Sequence, residues 1–176
     1  MNKILIVVDM QKDFVDGALG TPEAVAIVPR VAAKIKAHEG DITVTYDPHG
    51  EGYMTTQEGA KLPVPHCIKG TPGWELDATV AAALLGRDYH VIEKPTFGST
   101  ALPEYLAANY DPAEVEIELI GLCTDICVVS NALLLKAHFT ETAVSVDAAC
   151  CAGVTPDTHA AALSTMRMCQ VNVKED

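Results

Sequence analysis

The sequence predicts an α/β fold, with a doubly wound, mostly parallel six-stranded sheet covered by helices on both faces. Short apolar, β-branched runs alternate along the chain with longer segments of helical periodicity, and this alternation is typical of parallel sheets built from βαβ units. The chain has 176 residues, of which 49% are hydrophobic, so it can bury a sizeable core. We therefore expect one domain over residues 1–176, with right-handed crossovers between the strands.

Each element follows from a local pattern. Apolar runs predict strands at residues 3–8, 42–46, 89–93, 115–120, 142–147 and 170–173. Helical spacing of apolar residues predicts helices at residues 24–38, 75–85, 102–109, 125–138 and 156–168. The last of these helices begins with Pro156, which the first helical turn tolerates. Residues 47–73 have no regular pattern, and a connection of this length is typically functional.

Composition excludes several classes of function. With 24 acidic and 12 basic residues the net charge is −12, which argues against binding to nucleic acid or to an anionic membrane surface. No apolar run approaches the roughly 18–20 residues of a spanning helix, and no signal peptide is evident, so we expect a cytoplasmic protein. The six cysteines are expected to be reduced thiols rather than a disulfide scaffold. No Gly-x-Gly-x-x-Gly follows the first strand, which argues against dinucleotide binding.

Reactive side chains follow four consecutive predicted strands. Asp9 follows the first strand, Asp47 the second, Lys94 the third, and the segment 121–127 the fourth. In parallel sheets ligands bind beyond the carboxyl ends of the strands, so these groups are candidates for one site. Each alone has an ordinary structural explanation, such as a turn-forming Asp or a solvated Lys. Their coincidence at one edge favours a functional site.

Cys127 is the candidate nucleophile. If Thr124 caps the following helix, Cys127 lies in its first turn, where free N–H groups and a nearby lysine lower the pKa of a thiol. A neighbouring Asp would accept the proton. The alternative is that Cys127 is a small buried hydrophobic residue, as most free cysteines are.

The long connection carries a second polar cluster. Asp47, His49, Glu58 and His66 offer carboxylate and imidazole ligands, which suit Zn²⁺, Fe²⁺ or Mn²⁺ better than Ca²⁺. A catalytic rather than structural ion would keep an open coordination position. The spacing alone leaves open whether any metal binds.

Three parts of the sequence form a recognisable set: the opening segment 6–14 (IVVDMQKDF), Lys94 after the third strand, and the segment 121–128 (GLCTDICV). This set resembles the cysteine hydrolase superfamily that contains nicotinamidases and isochorismatase-like enzymes. The resemblance implies a strand order of 3-2-1-4-5-6, a cis peptide at Leu122–Cys123 and a homo-oligomer. It also implies that Asp9 is the acid/base, that Lys94 completes a triad, and that Cys127 is the nucleophile.

The nicotinamidase branch of this superfamily is distinguished by a metal. Asp47 and His49 match its Asp-x-His pair, and the segment 65–73 matches the one that carries its second metal histidine, here His66. Glu58 falls where some members supply another carboxylate. The resemblance thus implies a divalent metal, zinc first and iron or manganese next.

The expected substrate contacts are aromatic. Phe14 corresponds to an aromatic residue that stacks on the substrate ring, and Phe97 lies in the segment that follows the triad lysine. Three positions depart from the pattern of many nicotinamidases, because they lack an expected aromatic or apolar lining residue. These positions are Pro48, Pro63 and the segment 97–100 (FGST).

Together, these features predict a metal-assisted cysteine amidohydrolase that acts through a thioester on Cys127. The most favoured substrate is nicotinamide, a small carboxamide, with backbone N–H groups of Cys123 and Cys127 stabilising the oxyanion. One alternative is another small-amide or ureido hydrolase of the superfamily. An alternative of a different class is a non-catalytic metal-binding or interaction module on the same fold.

Overall fold

The computed structural model describes residues 1–175, and Asp176, the last residue of the expected domain, lies outside them. The described residues form one parallel sheet of six strands in the order β3-β2-β1-β4-β5-β6. The strands are β1 Asn2–Val8, β2 Asp41–Tyr46, β3 His90–Glu93, β4 Val115–Leu122, β5 Ala143–Ala152 and β6 Asn172–Lys174. The predicted α/β fold and strand order are confirmed.

Helices connect the strands. They are α1 Lys12–Val15, α2 Pro22–Ala37, α3 Gln57–Lys61, α4 Ala78–Leu84, α5 Ala101–Asn109, α6 Val129–His138 and α7 Pro156–Met168. Short 3₁₀ turns occupy Tyr53–Thr55 and Pro112–Glu114, and a π-helix occupies Thr124–Val128. Within residues 1–175, no helix is long and apolar enough to cross a bilayer.

Two apolar layers cover the sheet, one on each face. Alternate residues of β1 point to opposite sides, so Leu5 packs with α1, α2 and α4, whereas Ile6 packs with α5, α6 and α7. All of β1 from Ile4 to Val8 is buried, as expected for a central parallel strand. The helices therefore hold the sheet rigid from both sides.

The carboxyl ends of the central strands lie level with one another. Val8 of β1 is in register with Thr45 of β2 and with Gly121 of β4. Gly121 has a φ of +116°, and a Cβ at this position would collide with the carbonyl oxygen of Val8. Only glycine permits this close approach. The residues that follow these strands are thereby brought to one edge.

Candidate active site

The edge of the sheet brings together Asp9, Lys94 and Cys127. The Nζ atom of Lys94 lies 2.5 Å from Oδ2 of Asp9 and 3.2 Å from Sγ of Cys127. Asp9 adopts a left-handed backbone conformation, with a φ of 45°, and its other carboxylate oxygen accepts a hydrogen bond from Thr45 Oγ1 at 2.6 Å. All three side chains are at least 96% buried, because Asp9 is 0%, Lys94 1% and Cys127 4% exposed.

Burial governs the charge states of this triad. Removal from water raises the pKa of Asp9 above its usual 3.8, although Lys94 opposes the shift. Burial by itself would lower the pKa of Lys94, but the charge of Asp9 and the proximity of Cys127 raise it, so the lysine stays protonated. The cluster is therefore a buried ammonium beside a carboxylate of increased basicity.

The structure corrects the expected pKa of Cys127. Burial and the neighbouring Asp9 raise the pKa of the Cys127 thiol well above its usual 9.0, and the opposing effect of Lys94 does not compensate. The sequence-based argument for a lowered pKa is wrong because it neglected the loss of solvent. A protonated thiol needs a base at the moment of attack, and Asp9 is the adjacent candidate.

The nucleophile segment also differs locally from the expected capped helix. Residues Thr124–Val128 form a π-helix whose N-cap is Cys123, and that cap is not stabilised by a side chain. The hydroxyl of Thr124 instead contacts Nδ1 of His159 in α7 at 2.7 Å. The peptide between Leu122 and Cys123 is cis, as the resemblance implied.

The four predicted metal ligands converge beside the triad. Asp47, His49, Glu58 and His66 each offer one ligand atom, and these atoms lie within 4.8 Å of one another. Nε2 of His49 is 3.3 Å from Asp47 Oδ1 and 3.5 Å from Glu58 Oε1, and Nε2 of His66 is 3.6 Å from the same Glu58 oxygen. Nε2 of His49 is buried and makes no hydrogen bond. A buried imidazole nitrogen without a partner, facing carboxylates, fits a divalent ion.

Protein contacts, rather than a metal alone, hold this loop in place. Gln11 is fully buried and brackets Asp47, accepting from its N–H at 2.7 Å and donating to its carbonyl at 3.0 Å. The N–H of Cys67 donates to Asp13 at 2.8 Å, and the backbone of His49 pairs with residues 67–69. Nδ1 of His66 lies 2.8 Å from the carbonyl of Val64, which leaves Nε2 free for an ion. These contacts order the loop together with any ion that the four side chains bind.

A cavity of about 640 Å³ opens over both clusters. Its lining includes Cys127 and Cys123 from the nucleophile segment together with three of the metal-ligand candidates, Asp47, Glu58 and His66. Phe14 lies in the wall with its ring edge-on to His66, at 5.4 Å between centroids, and Phe97 lines the outer part, where it is 46% exposed. A bound molecule can therefore contact Cys127 and the candidate metal ligands at once.

Sequence reasoning missed several residues that support the site. Gln11 and Asp13 lie within the opening motif, but their partners are distant in sequence, so local spacing gave no signal for their roles. Tyr53 is 2% exposed and packs against both candidate metal histidines, with ring centroids 4.7 Å from His49 and 5.0 Å from His66. The only clue in the sequence was an aromatic residue, Tyr53, shortly after the Asp-x-His pair.

A family comparison agrees with this geometry. A model of the isochorismatase domain matches residues 3–175. The chain belongs to the isochorismatase family. Its sequence is 29% identical to that of the nicotinamidase/pyrazinamidase of Mycobacterium tuberculosis, in an alignment that covers 97% of each chain.

Solved structures resemble this family member over its whole length. The pyrazinamidase of Pyrococcus horikoshii in complex with zinc has a TM-score of 0.82 and 28% identity, and the alignment covers 100% of both chains. The nicotinamidase/pyrazinamidase of Bacillus subtilis has a TM-score of 0.83 and 26% identity, with coverage of 99% of this chain and 100% of that one.

Proposed function

We propose that this protein is a cysteine amidohydrolase that converts nicotinamide and water to nicotinate and ammonia. The observation that carries the proposal is the contact of Lys94 with both Asp9 and Cys127, the last of which lines a cavity. Membership of the isochorismatase family and likeness to nicotinamidases support an amide hydrolase. A non-catalytic module would not need a buried ion pair against a cysteine that lines a cavity.

The reaction proceeds through a thioester. Asp9 takes the proton of Cys127, and the sulfur attacks the carboxamide carbon while backbone N–H groups of Cys123 and Cys127 stabilise the oxyanion. Asp9 then gives its proton to the nitrogen, the C–N bond breaks, and ammonia leaves. A water molecule next loses a proton to Asp9 and attacks the thioester carbon, the C–S bond breaks, and the proton returns to sulfur. Lys94 stabilises the negative charge on Asp9 and Cys127 throughout.

A divalent ion, with zinc as the first choice, would be held by Asp47, His49, Glu58 and His66. When bound, the ion supplies a Lewis acid that can orient a ring nitrogen of the substrate. Phe14 would pack against the ring from the cavity wall. The four metal-ligand candidates therefore orient the substrate, whereas Asp9 transfers the protons.

The cavity favours a second candidate within the same chemistry. Its volume of about 640 Å³ lies in the range of roughly 300–1,000 Å³ typical of sites for drug-sized ligands. Leu62, Phe97 and Val154 line it and are exposed to solvent. A ring carboxamide with an apolar substituent would place apolar surface against these side chains.

The deciding experiment is ammonia release by the zinc-loaded protein from three kinds of substrate. These are nicotinamide, ring carboxamides with an apolar substituent, and an N-carbamoyl amino acid, with Cys127→Ala as the control. Turnover of nicotinamide that is lost in the control supports the first proposal, and faster turnover of the substituted amides supports the second. Hydrolysis of the carbamoyl compound alone would select a ureido hydrolase.

A cytoplasmic location and a homo-oligomer remain predictions from the sequence.

A further inference from the structure

The nucleophile segment is attached to a helix that contributes nothing to the triad. Thr124 lies three residues before Cys127 and is completely buried, and its Oγ1 is 2.7 Å from Nδ1 of His159. These two residues are 35 positions apart in the chain. Because the π-helix has no side-chain cap of its own, this contact anchors its first residue from outside.

Neighbouring contacts make the attachment rigid. The carboxylate of Asp125 accepts hydrogen bonds from the N–H of Val154, with distances of 3.0 and 3.2 Å to its two oxygens. A Cβ on Gly153 would lie 2.9 Å from the backbone and Cβ of His159, so the chain before α7 passes directly against this residue. The capping box of Thr155 and Thr158 fixes the first turn of α7. His159 is thus held one turn inside a fixed helix end.

The other end of the nucleophile segment is held separately. The side chain of Asn131 donates to the carbonyl of Cys127 at 2.8 Å and accepts from the N–H of Ser99 at 3.0 Å. Asn131 therefore fixes the C-terminal side of Cys127, whereas the side chain of Thr124 is hydrogen-bonded to α7. Cys123, whose N–H is assigned to the oxyanion, immediately precedes Thr124.

We propose that His159 is a positioning residue of the reaction, which acts through Thr124 to fix the backbone that carries the oxyanion donors and the nucleophile. This role rests on the proposed amide hydrolysis. It requires a hydrogen-bonding atom at the position of Nδ1 and a hydroxyl on residue 124. Misplacement of catalytic groups by about 1 Å can cost roughly 10²-fold in rate, so loss of the contact should be visible mainly in kcat.

The test compares removal and retention of this hydrogen bond in the zinc-loaded protein. His159→Leu and Thr124→Val remove it, whereas His159→Asn and Thr124→Ser retain a partner at nearly the same place. Thr165→Val, on the exposed side of α7, is the matched control for changes in the helix itself. The measurements are kcat and KM for nicotinamide, the thermal midpoint, and the rate of Cys127 alkylation by iodoacetamide.

We expect His159→Leu and Thr124→Val to reduce kcat by about 10–100-fold and to change KM by less than about threefold. The double variant should be no slower than the slower single one, because both remove one contact. His159→Asn, Thr124→Ser and Thr165→Val should stay within about threefold of the wild type. The proposal would be overturned by unchanged kcat in folded His159→Leu and Thr124→Val, by multiplied losses in the double variant, or by no rescue in His159→Asn.

Failure of the proposed function would be recognised separately. If the unmodified protein hydrolyses no nicotinamide, the alkylation rate of Cys127 becomes the measure of its placement. This rate should then fall several-fold in His159→Leu and Thr124→Val and recover in His159→Asn and Thr124→Ser. Equal alkylation rates in all of them would reject the positioning role.

Discussion

The two halves of the site are built in different ways. Asp9 and Lys94 directly follow strands β1 and β3, and Cys127 follows β4 within five residues, so the sheet itself sets their positions. The metal-ligand cluster, which consists of Asp47, His49, Glu58 and His66, instead lies mainly on the connection between β2 and α4. It depends on contacts from Gln11, Asp13 and Tyr53. One half is fixed by the core, and the other by a few side chains.

The halves also differ in charge balance. The triad contains its own cation, because the Lys94 ammonium lies 2.5 Å from Asp9. The metal-ligand cluster combines two carboxylates with two imidazoles at 3.3–3.6 Å. The triad is thus balanced by its own lysine, whereas the second cluster offers four ligand atoms to a divalent ion. Substitutions in the triad should therefore abolish hydrolysis. Substitutions in the metal-ligand cluster should impair the orientation of the substrate and leave the reactivity of Cys127 unchanged.

The largest effect is expected at the nucleophile. Cys127→Ala should lower kcat by about 10⁴-fold or more, because the covalent route is lost. It should leave metal affinity unchanged, since the sulfur is not among the four ligand candidates. Ammonia release and zinc titration measure the two quantities. Cys169→Ala, at an exposed cysteine, is the control, and hydrolysis by Cys127→Ala near the wild-type rate would remove the triad from the mechanism.

The next effect concerns the base. Asp9→Asn should reduce kcat by about 10²–10⁴-fold, the usual contribution of a positioned base. The pH profile carries a second signature, because the reaction needs the carboxylate and burial raises the pKa of Asp9. In the wild type, Cys127 alkylation should thus begin to fall on acidification at a pH above the ordinary aspartate value of 3.8. A profile identical in Asp9→Asn would assign the titration to another group.

Prediction from sequence succeeded where position depends on the strands and failed where it depends on distant partners. Buried strands are visible as apolar runs, and a parallel sheet brings their carboxyl ends together, so Asp9 and Lys94 could be assigned to one edge. The helix α3 and the turn Tyr53–Thr55 were not predicted, because short elements without periodicity give no pattern. Tyr53 of this turn packs against both candidate metal histidines, which are distant from one another in the sequence.

The thiol shows the same limit in electrostatic terms. The expected lowering of the pKa of Cys127 used its sequence neighbours and a nearby lysine. Its actual environment includes near-complete burial and the Asp9 carboxylate, and both act in the opposite direction. The burial of the Cys127 sulfur depends on all the residues that surround it, and most of these cannot be identified from the sequence. The hydroxyl of Thr124, assigned to a helix cap, bonds to His159 for the same reason.

A ligand substitution in the metal-ligand cluster tests whether the halves are separable. His49→Ala should reduce nicotinamide turnover by about 10²-fold, because even partners of metal ligands contribute roughly 10–100-fold. The alkylation rate of Cys127 should stay close to that of the wild type, and chelation of the wild type should reproduce both results. His138→Ala, at an exposed histidine, is the control. Equal loss of turnover and alkylation would mean that the metal holds the fold of the whole site.

The smallest effect on turnover is expected from Gln11, which supports the metal-ligand cluster without being a ligand candidate. Gln11→Met keeps the volume but leaves the N–H and the carbonyl of Asp47 without their partners. Zinc affinity should fall by about 10–100-fold, as measured by competition with a chelator. At saturating zinc, kcat should return to within about threefold of the wild type, because bound metal restores the loop. Lys12→Met, at the exposed neighbour that pairs only with Asp16 among the described residues, should change neither quantity. A kcat that stays low at saturating zinc would show that Gln11 also positions the triad, which would contradict the separation of the two halves.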